Sequence, residues 1–163
     1  GEINALAFKL ISGQADTWEY SYFERHKKRP RYVAEDSYAD MLPRLDEILA
    51  GLDSYKTIGI ITGKEEEAQK VKEYLDRREI KAKLIVSLED ELSGRLVVLP
   101  LLLAKGLEFD AVILVDLIHS GKDAPNPRRR LYLGCTRALH ELYILESGQL
   151  PEGFSDCKEY MDF

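Results

Sequence analysis

Two stretches of the chain carry residue types that suit a phosphorylated ligand. The first is the segment KGLEFD at 105–110, which joins two apolar runs, and the second contains Arg137. A glycine between strands permits a close approach of the backbone or an unusual dihedral angle. A carboxylate such as that of Glu108 can accept hydrogen bonds from ribose hydroxyls, and the N–H donors of arginine match phosphate oxygens. Both stretches are therefore candidates for nucleotide contacts.

Glu108 stands at the entrance of a predicted strand. We expect it on the carboxyl-terminal side of the sheet's connections, where α/β folds place ligands. The alternative is that Lys105 and Glu108 form a surface ion pair that contributes little to stability.

Arg137 falls in a stretch, 131–142, that has a helical pattern. Its apolar neighbours predict a helix whose inward face carries Leu131, Cys135, Ala138 and Leu142. An arginine among such neighbours must be paired or must point into a cleft. The alternative to a phosphate contact is a structural ion pair with Glu141, four residues further on.

Basic residues also occur next to the two candidate stretches. The run Arg128-Arg129-Arg130 is either a phosphate-facing patch or a solvated helix start. Residues 12–30 combine aromatic with basic residues, which could stack bases and neutralise phosphates. For residues 12–30 we favour the alternative of a surface connection with aromatics packed on the core.

The rest of the chain supplies the elements that must position these residues. Helical apolar spacing predicts helices at 3–11, 36–51 and 65–78, the second capped by Asp36 or Ser37 and ended by Gly51. Short apolar runs predict strands at 31–35, 57–62, 82–86, 96–99, 111–115 and 142–145. Strands that alternate with helices predict an α/β fold, a parallel sheet covered by helices.

A phosphate-binding loop is not found in the sequence. Gly63-Lys64 follows a predicted strand, but Ile58 replaces the first glycine of that motif and Glu65 replaces its serine or threonine. A nucleotide triphosphate would therefore need another domain to hold most of its phosphates. The acidic residues at 89–91 are best explained as a solvated loop, and we predict no metal site.

The bulk properties limit the class of protein. The 163 residues suit one domain, and a net charge of −6 argues against a basic nucleic-acid clamp by composition alone. No apolar run is long enough to span a bilayer. Two cysteines without metal-ligand spacing favour a reducing, cytoplasmic setting. The chain starts at Gly1 rather than Met, which favours a piece of a longer protein.

The segments KGLEFDAVIL and RRRLYLGCTRALHELYIL resemble motifs V and VI of superfamily 1 helicases of the UvrD/Rep/PcrA kind. The helicase IV or HelD-type branch is the most similar. The resemblance is dense over 95–145, and it implies that 1–163 is a single C-terminal RecA-like domain. The implied architecture is a three-layer P-loop NTPase fold that lacks its own phosphate loop, which agrees with the sequence.

By position, the resemblance assigns roles to individual residues. Arg137 would be the catalytic arginine that reaches the γ-phosphate of ATP, an interaction worth about 10³–10⁵ in rate. Glu108 would contact the ribose, and Gly106 would let the loop pass close to the nucleotide. Four residues are predicted to contact nucleic acid: Lys105, Arg128, Arg129 and Thr136.

The implied function is the C-terminal motor domain of an ATP-dependent DNA helicase. Its expected cofactors are ATP and Mg²⁺, the latter held mainly by an N-terminal RecA-like domain, and its other expected partner is single-stranded DNA. The sequence departs from the family in two places. Pro100 and Leu102 replace the T-x-H element that meets DNA, and Asn126 and Pro127 replace acidic residues before the paired arginines. The alternative is therefore a HelD-type remodelling module that associates with RNA polymerase.

Overall fold

The computed structural model describes residues 1–12, 28–120 and 125–163. Six strands form one sheet in the order β1-β6-β5-β2-β4-β3, and every neighbouring pair is parallel. The strands are β1 (Arg31–Ala34), β2 (Ile58–Thr62), β3 (Lys83–Leu84), β4 (Leu96–Pro100), β5 (Phe109–Val115) and β6 (Ala138–Glu146). The helices are α1 (Glu2–Ser12), α2 (Tyr38–Met41), α3 (Arg44–Ala50), α4 (Glu65–Arg77) and α5 (Pro127–Cys135), with 3₁₀ helices at Leu101–Ala104 and Glu152–Tyr160.

The central strands are buried on both faces. Every residue of β2 and β4 is buried, and Ile60 of β2 pairs with Val98 on one side and Ile113 on the other. Strands covered on both faces read as continuous apolar runs rather than as alternating ones. The predicted α/β fold with a parallel sheet is confirmed.

Helices cover the sheet on two sides and so create three layers. One core cluster unites the sheet with apolar residues of α2, α3 and α4, among them Met41, Leu45, Ile48, Val71 and Leu75. The opposite cluster contains residues of α1, α5 and the 3₁₀ helix Glu152–Tyr160, among them Ile3, Leu6, Leu131, Cys135 and Phe154. No helix among the described residues has the length and apolar character needed to cross a membrane.

The last residues of the chain lie along the free side of β1. Asp162 forms a parallel bridge with Arg31, and its carbonyl accepts a 2.7 Å hydrogen bond from the N–H of Tyr32. The N–H of Asp162 donates to the carbonyl of Pro30 at 2.8 Å. The outermost strand on the other side of the sheet is β3, which has only two residues.

Two predicted elements are shorter or interrupted. The helix predicted over 36–51 is two helices, because Pro43 begins a new one after α2. Ser37 caps α2 by accepting from the N–H of Asp40, and Gly51 ends α3 as predicted. The strand predicted at 82–86 contains only Lys83–Leu84.

The helix predicted over 131–142 is confirmed only over 131–135. Helix α5 ends at Cys135, Thr136 and Arg137 form the turn, and β6 begins at Ala138. Ala138 and Leu142 both face the core, but from a strand that carries a bulge, and their spacing imitates that of a helix. Most of the aromatic and basic segment predicted at 12–30 lies outside the described residues.

Candidate functional site

Gly106, Glu108 and Arg137 lie at one edge of the sheet. Glu108 immediately precedes β5, and Arg137 immediately precedes β6. These strands are parallel neighbours, so they begin at the same edge, and Phe109 pairs with Ala138. The N–H of Phe109 donates to the carbonyl of Arg137 at 2.9 Å. Adjacent strands are about 4.8 Å apart, so the backbones of Glu108 and Arg137 are close neighbours.

The edge that they share is the amino-terminal one. The expectation that Glu108 lies on the carboxyl-terminal side is therefore wrong. The chain leaves the carboxyl end of β4 at Pro100, passes through the 3₁₀ helix Leu101–Ala104, and reaches the amino end of β5 at Phe109. The whole KGLEF segment thus arrives at the starting edge of the next strand.

Gly106 has a backbone conformation that requires glycine. Its φ is +81°, in the left-handed region, and a Cβ there would meet nothing within 4 Å. The turn is closed by the N–H of Leu107, which donates to the carbonyl of Ala104 at 3.0 Å. Lys105, Gly106 and Glu108 are all exposed. The glycine therefore serves a tight turn that leaves the neighbouring side chains open to a ligand.

Arg137 is half-buried, and its two side-chain hydrogen bonds go to neutral oxygens. Its Nη2 donates to Thr136 Oγ1 at 3.1 Å, and its Nη1 donates to the carbonyl of Ala104 at 3.4 Å. Within the described part of the chain, no carboxylate reaches ion-pair distance of this guanidinium. Glu141 instead pairs with Lys28 at 3.2 Å, so the predicted alternative of an Arg137–Glu141 ion pair is wrong.

Asp110 anchors the start of β5. Its Oδ2 accepts hydrogen bonds from the N–H groups of Lys56 and Thr57, both at 3.1 Å, and its own N–H donates to Thr57 Oγ1 at 2.9 Å. A β-bulge follows, because Phe109 pairs with Ala138 whereas Ala111 pairs with Glu141. Bulges re-aim the backbone beside functional sites. Here the bulge comes directly after Arg137.

Arg128 is a structural residue of the α1–α5 contact. Its guanidinium donates to the carbonyls of Lys9 at 2.9 Å, Leu10 at 3.2 Å and Gly153 at 2.9 Å, and to the carboxylate of Asp156 at 2.8 Å and 3.0 Å. These bonds use all three of its nitrogens. Its contact with nucleic acid stays a prediction.

The four residues predicted to contact nucleic acid do not come together. Arg129, which is exposed, lies in the first turn of α5, whereas Thr136 caps the other end of that helix. Seven helical steps of about 1.5 Å place them about 10 Å apart along the helix axis. Lys105 belongs to the same end as Thr136, since it follows the Ala104 carbonyl that Arg137 contacts. Their contacts with nucleic acid stay predictions.

A separate polar cluster at the carboxyl-terminal edge was missed by the sequence analysis. One ligand-type atom from each of Asp116, His119 and Glu146 lies within 4.8 Å of the others. Glu146 is fully buried and accepts from the N–H groups of Ile118 and His119 and from His119 Nδ1, the last at 2.7 Å. Asp116 Oδ1 accepts from Ser147 at 2.8 Å. These carboxylates tie the ends of β5 and β6 together.

The hydrogen bond to Glu146 raises the pKa of His119, and burial raises the pKa of Glu146. The only signal of this cluster in the sequence is that Asp116 and Glu146 each stand where an apolar run stops. Among the described residues this is the one group with three potential metal ligands, and it lies at the edge opposite Arg137. In the described part of the chain, the edge that carries Arg137 holds no comparable group of ligands for Mg²⁺.

Residues 96–145 match the family model described as the UvrD-like helicase C-terminal domain. That range contains the KGLEFD segment, α5 and Arg137. No curated protein matches the chain.

Two solved structures share the fold. The C-terminal domain of a possible DNA helicase from Lactobacillus plantarum WCFS1 is 25% identical, with a TM-score of 0.78, and the match covers 99% of this chain and 94% of that one. The arterivirus nonstructural protein 10 helicase, solved in complex with DNA, is 11% identical with a TM-score of 0.54. That match covers 82% of this chain and 34% of the viral one. The fold is therefore that of a helicase C-terminal RecA-like domain.

Proposed function

We propose that this chain is the C-terminal motor domain of an ATP-dependent DNA helicase or translocase. Residues 1–163 would form one domain of a longer protein, and an N-terminal RecA-like domain would supply the phosphate loop and hold Mg²⁺. ATP would bind between the two domains. The observation that carries the proposal is the half-buried guanidinium of Arg137, which has no carboxylate partner in the described chain and adjoins Glu108 at the same sheet edge.

Each residue of this edge has a chemical task in the proposal. Arg137 would neutralise charge that develops on the γ-phosphate during hydrolysis. Glu108, which is exposed, would accept hydrogen bonds from the ribose. The positive φ of Gly106 would keep the loop close to the nucleotide without a side chain in the way. When bound, ATP would supply the phosphoryl group that is transferred, and Mg²⁺ would neutralise part of its charge.

The surroundings of Arg137 suit a face that another domain covers. Leu102 is 86% exposed and Leu133 is 37% exposed. They lie on the two elements that contact the arginine, the 3₁₀ helix Leu101–Ala104 and α5. Burial of these exposed apolar side chains against a second domain would stabilise the contact between the two domains.

The test is the ATPase activity of the full-length protein, with and without single-stranded DNA. Arg137→Ala should lower kcat by about 10³–10⁵, and the 163-residue chain alone should not hydrolyse ATP. Arg77→Ala is the matched control, because Arg77 is an exposed arginine of α4 on the opposite layer. Wild-type kcat in Arg137→Ala, or steady ATPase activity of the chain alone, would contradict the proposal.

A second candidate function is a HelD-type remodelling module that acts on RNA polymerase. The observation that favours it comes from the end of β4 and the 3₁₀ helix that follows, where Pro100 and Leu102 replace the T-x-H element and offer no side-chain hydrogen bond to DNA. Of the four residues predicted to contact nucleic acid, Lys105 and Arg129 are exposed. Loss of ATPase activity in Arg137→Ala without any stimulation by DNA in the wild type would favour this candidate. A cytoplasmic location stays a prediction.

A further inference from the structure

Thr136 makes contacts that fix the direction of the Arg137 side chain. Its hydroxyl donates to the carbonyl of Leu133 at 2.9 Å and accepts from Arg137 Nη2 at 3.1 Å. A hydroxyl has a single proton to donate. Since that proton points at Leu133, only oxygen lone pairs face Arg137, and they suit a cationic donor.

The backbone beneath this contact is held at the end of α5. The N–H of Thr136 donates to the carbonyl of Tyr132, and the N–H of Arg137 donates to the carbonyl of Gly134, both at 3.1 Å. Gly134 itself packs against Leu114 of β5, where a Cβ would come within 2.6 Å. The platform from which Arg137 projects is therefore fixed by packing as well as by hydrogen bonds.

The second contact of the guanidinium differs from the first. The bond from Nη1 to the carbonyl of Ala104 is 3.4 Å long, beyond the usual range for N–H···O bonds. That carbonyl also accepts from the N–H of Leu107 at 3.0 Å, so it stays satisfied if Arg137 leaves. A phosphate can replace this weak partner while Thr136 keeps its hold on Nη2.

We propose that Thr136 is a positioning residue for Arg137, which orients the guanidinium toward the γ-phosphate rather than contacting nucleic acid itself. This inference rests on the proposed function. It assigns Thr136 a task that the predicted nucleic-acid contact does not include, because both hydrogen-bonding directions of its hydroxyl are used inside the protein.

The test uses the full-length protein with Thr136→Val and Thr136→Ser. Valine has a similar shape but no hydroxyl, whereas serine keeps it. A hydrogen bond to a charged group predicts that Thr136→Val lowers kcat for ATP about tenfold and leaves the KM near its wild-type value. Thr136→Ser should stay within about twofold of wild type, because the hydroxyl is retained.

Nucleotide affinity separates a positioning role from a merely structural one. We expect Thr136→Val to weaken binding of ADP–aluminium fluoride, which mimics the transferring phosphate, about tenfold. Binding of ADP, which has no γ-phosphate, should not change. In an Arg137→Ala background, Thr136→Val should weaken binding of the fluoride complex no further, because the residue that it positions is gone.

Three outcomes would overturn the inference: equal weakening for ADP and its fluoride complex, an additive effect in the double variant, or wild-type activity of Thr136→Val. Failure of the proposed function looks different, since Arg137→Ala would then keep wild-type ATPase activity. Loss of activity in Arg137→Ala together with full activity in Thr136→Val would refute only the positioning role.

Discussion

Replacing Gly59 of β2 by alanine should force a buried ring out of its place. A Cβ at Gly59 would lie 2.6 Å from Cδ2 of Phe109 and 2.8 Å from its Cε2, whereas ordinary contact begins at 3.4 Å. The ring must therefore retreat by about 0.8 Å. Phe109 is only 2% exposed and starts the strand that follows Glu108, so the ring has little room to move.

The expected cost follows from this overlap. Overpacking a well-filled core costs about 1–3 kcal/mol. For a domain of this size, about 2 kcal/mol lowers Tm by about 4–8 °C. Differential scanning calorimetry of Gly59→Ala measures this shift. Because Phe109 donates its N–H to Arg137, the same variant should also disturb the edge that carries the candidate site.

Two further variants make the result decisive. Gly153→Ala is the control, since a Cβ there would meet nothing within 4 Å, and its Tm should match that of the wild type. Adding Phe109→Leu to Gly59→Ala should recover part of the lost stability, because leucine occupies less of the space beside the new methyl group. A Tm of Gly59→Ala equal to that of Gly153→Ala, or a further fall in the double variant, would refute the reasoning.

Three more predictions concern other contacts. Arg128→Ala should lower the free energy of unfolding by about 2–4 kcal/mol in urea denaturation, because five hydrogen bonds are lost. The control, Arg129→Ala, should change it by less than about 0.5 kcal/mol. Equal effects of the two substitutions would contradict this prediction. Asp110→Ala should cost about 1–3 kcal/mol by the same measurement, since two backbone N–H groups lose their acceptor, and an unchanged value would argue against the anchor. His119 has a raised pKa in the folded state, so its contribution to stability is complete below about pH 6.5 and is lost as the pH rises through the folded pKa. The stability lost in His119→Asn should accordingly be larger at about pH 5.5 than at about pH 8.5, and a loss that does not vary with pH would exclude the pair with Glu146 as its cause.

The sequence was informative where burial leaves a clear pattern. The runs in β2, β4 and β5 are apolar throughout because both faces of these strands are covered, and they predicted the parallel sheet. The start of β6 was hidden for a different reason. Ala138 and Leu142 lie four residues apart and both face the core from a strand that carries a bulge, and this spacing is also that of one face of a helix.

The candidate site was chosen from residue types, and the expected position of Glu108 in the sheet was wrong. Gly106, Glu108 and Arg137 could be recognised in the sequence as residue types that suit a nucleotide. The order of the strands then decides where in the fold they meet. Which edge of the sheet a residue occupies depends on how the chain crosses between strands, and nothing local to Glu108 encodes this. The role of Arg128 was likewise hidden, because its acceptors are carbonyls of Lys9, Leu10 and Gly153, far away in sequence.

The contact of Asp162 with β1 has a consequence for the behaviour of the protein in solution. A strand at the end of a sheet offers unpaired N–H and C=O groups to any other extended chain, and this is a common start of aggregation. Here Asp162 forms backbone hydrogen bonds along Arg31 and Tyr32 and so covers the free side of β1. The outermost strand on the other side, β3, has only two residues and is too short to serve as a template. Removal of residues 161–163 would uncover β1 and favour pairing between molecules, so expression of this domain should include its last residues.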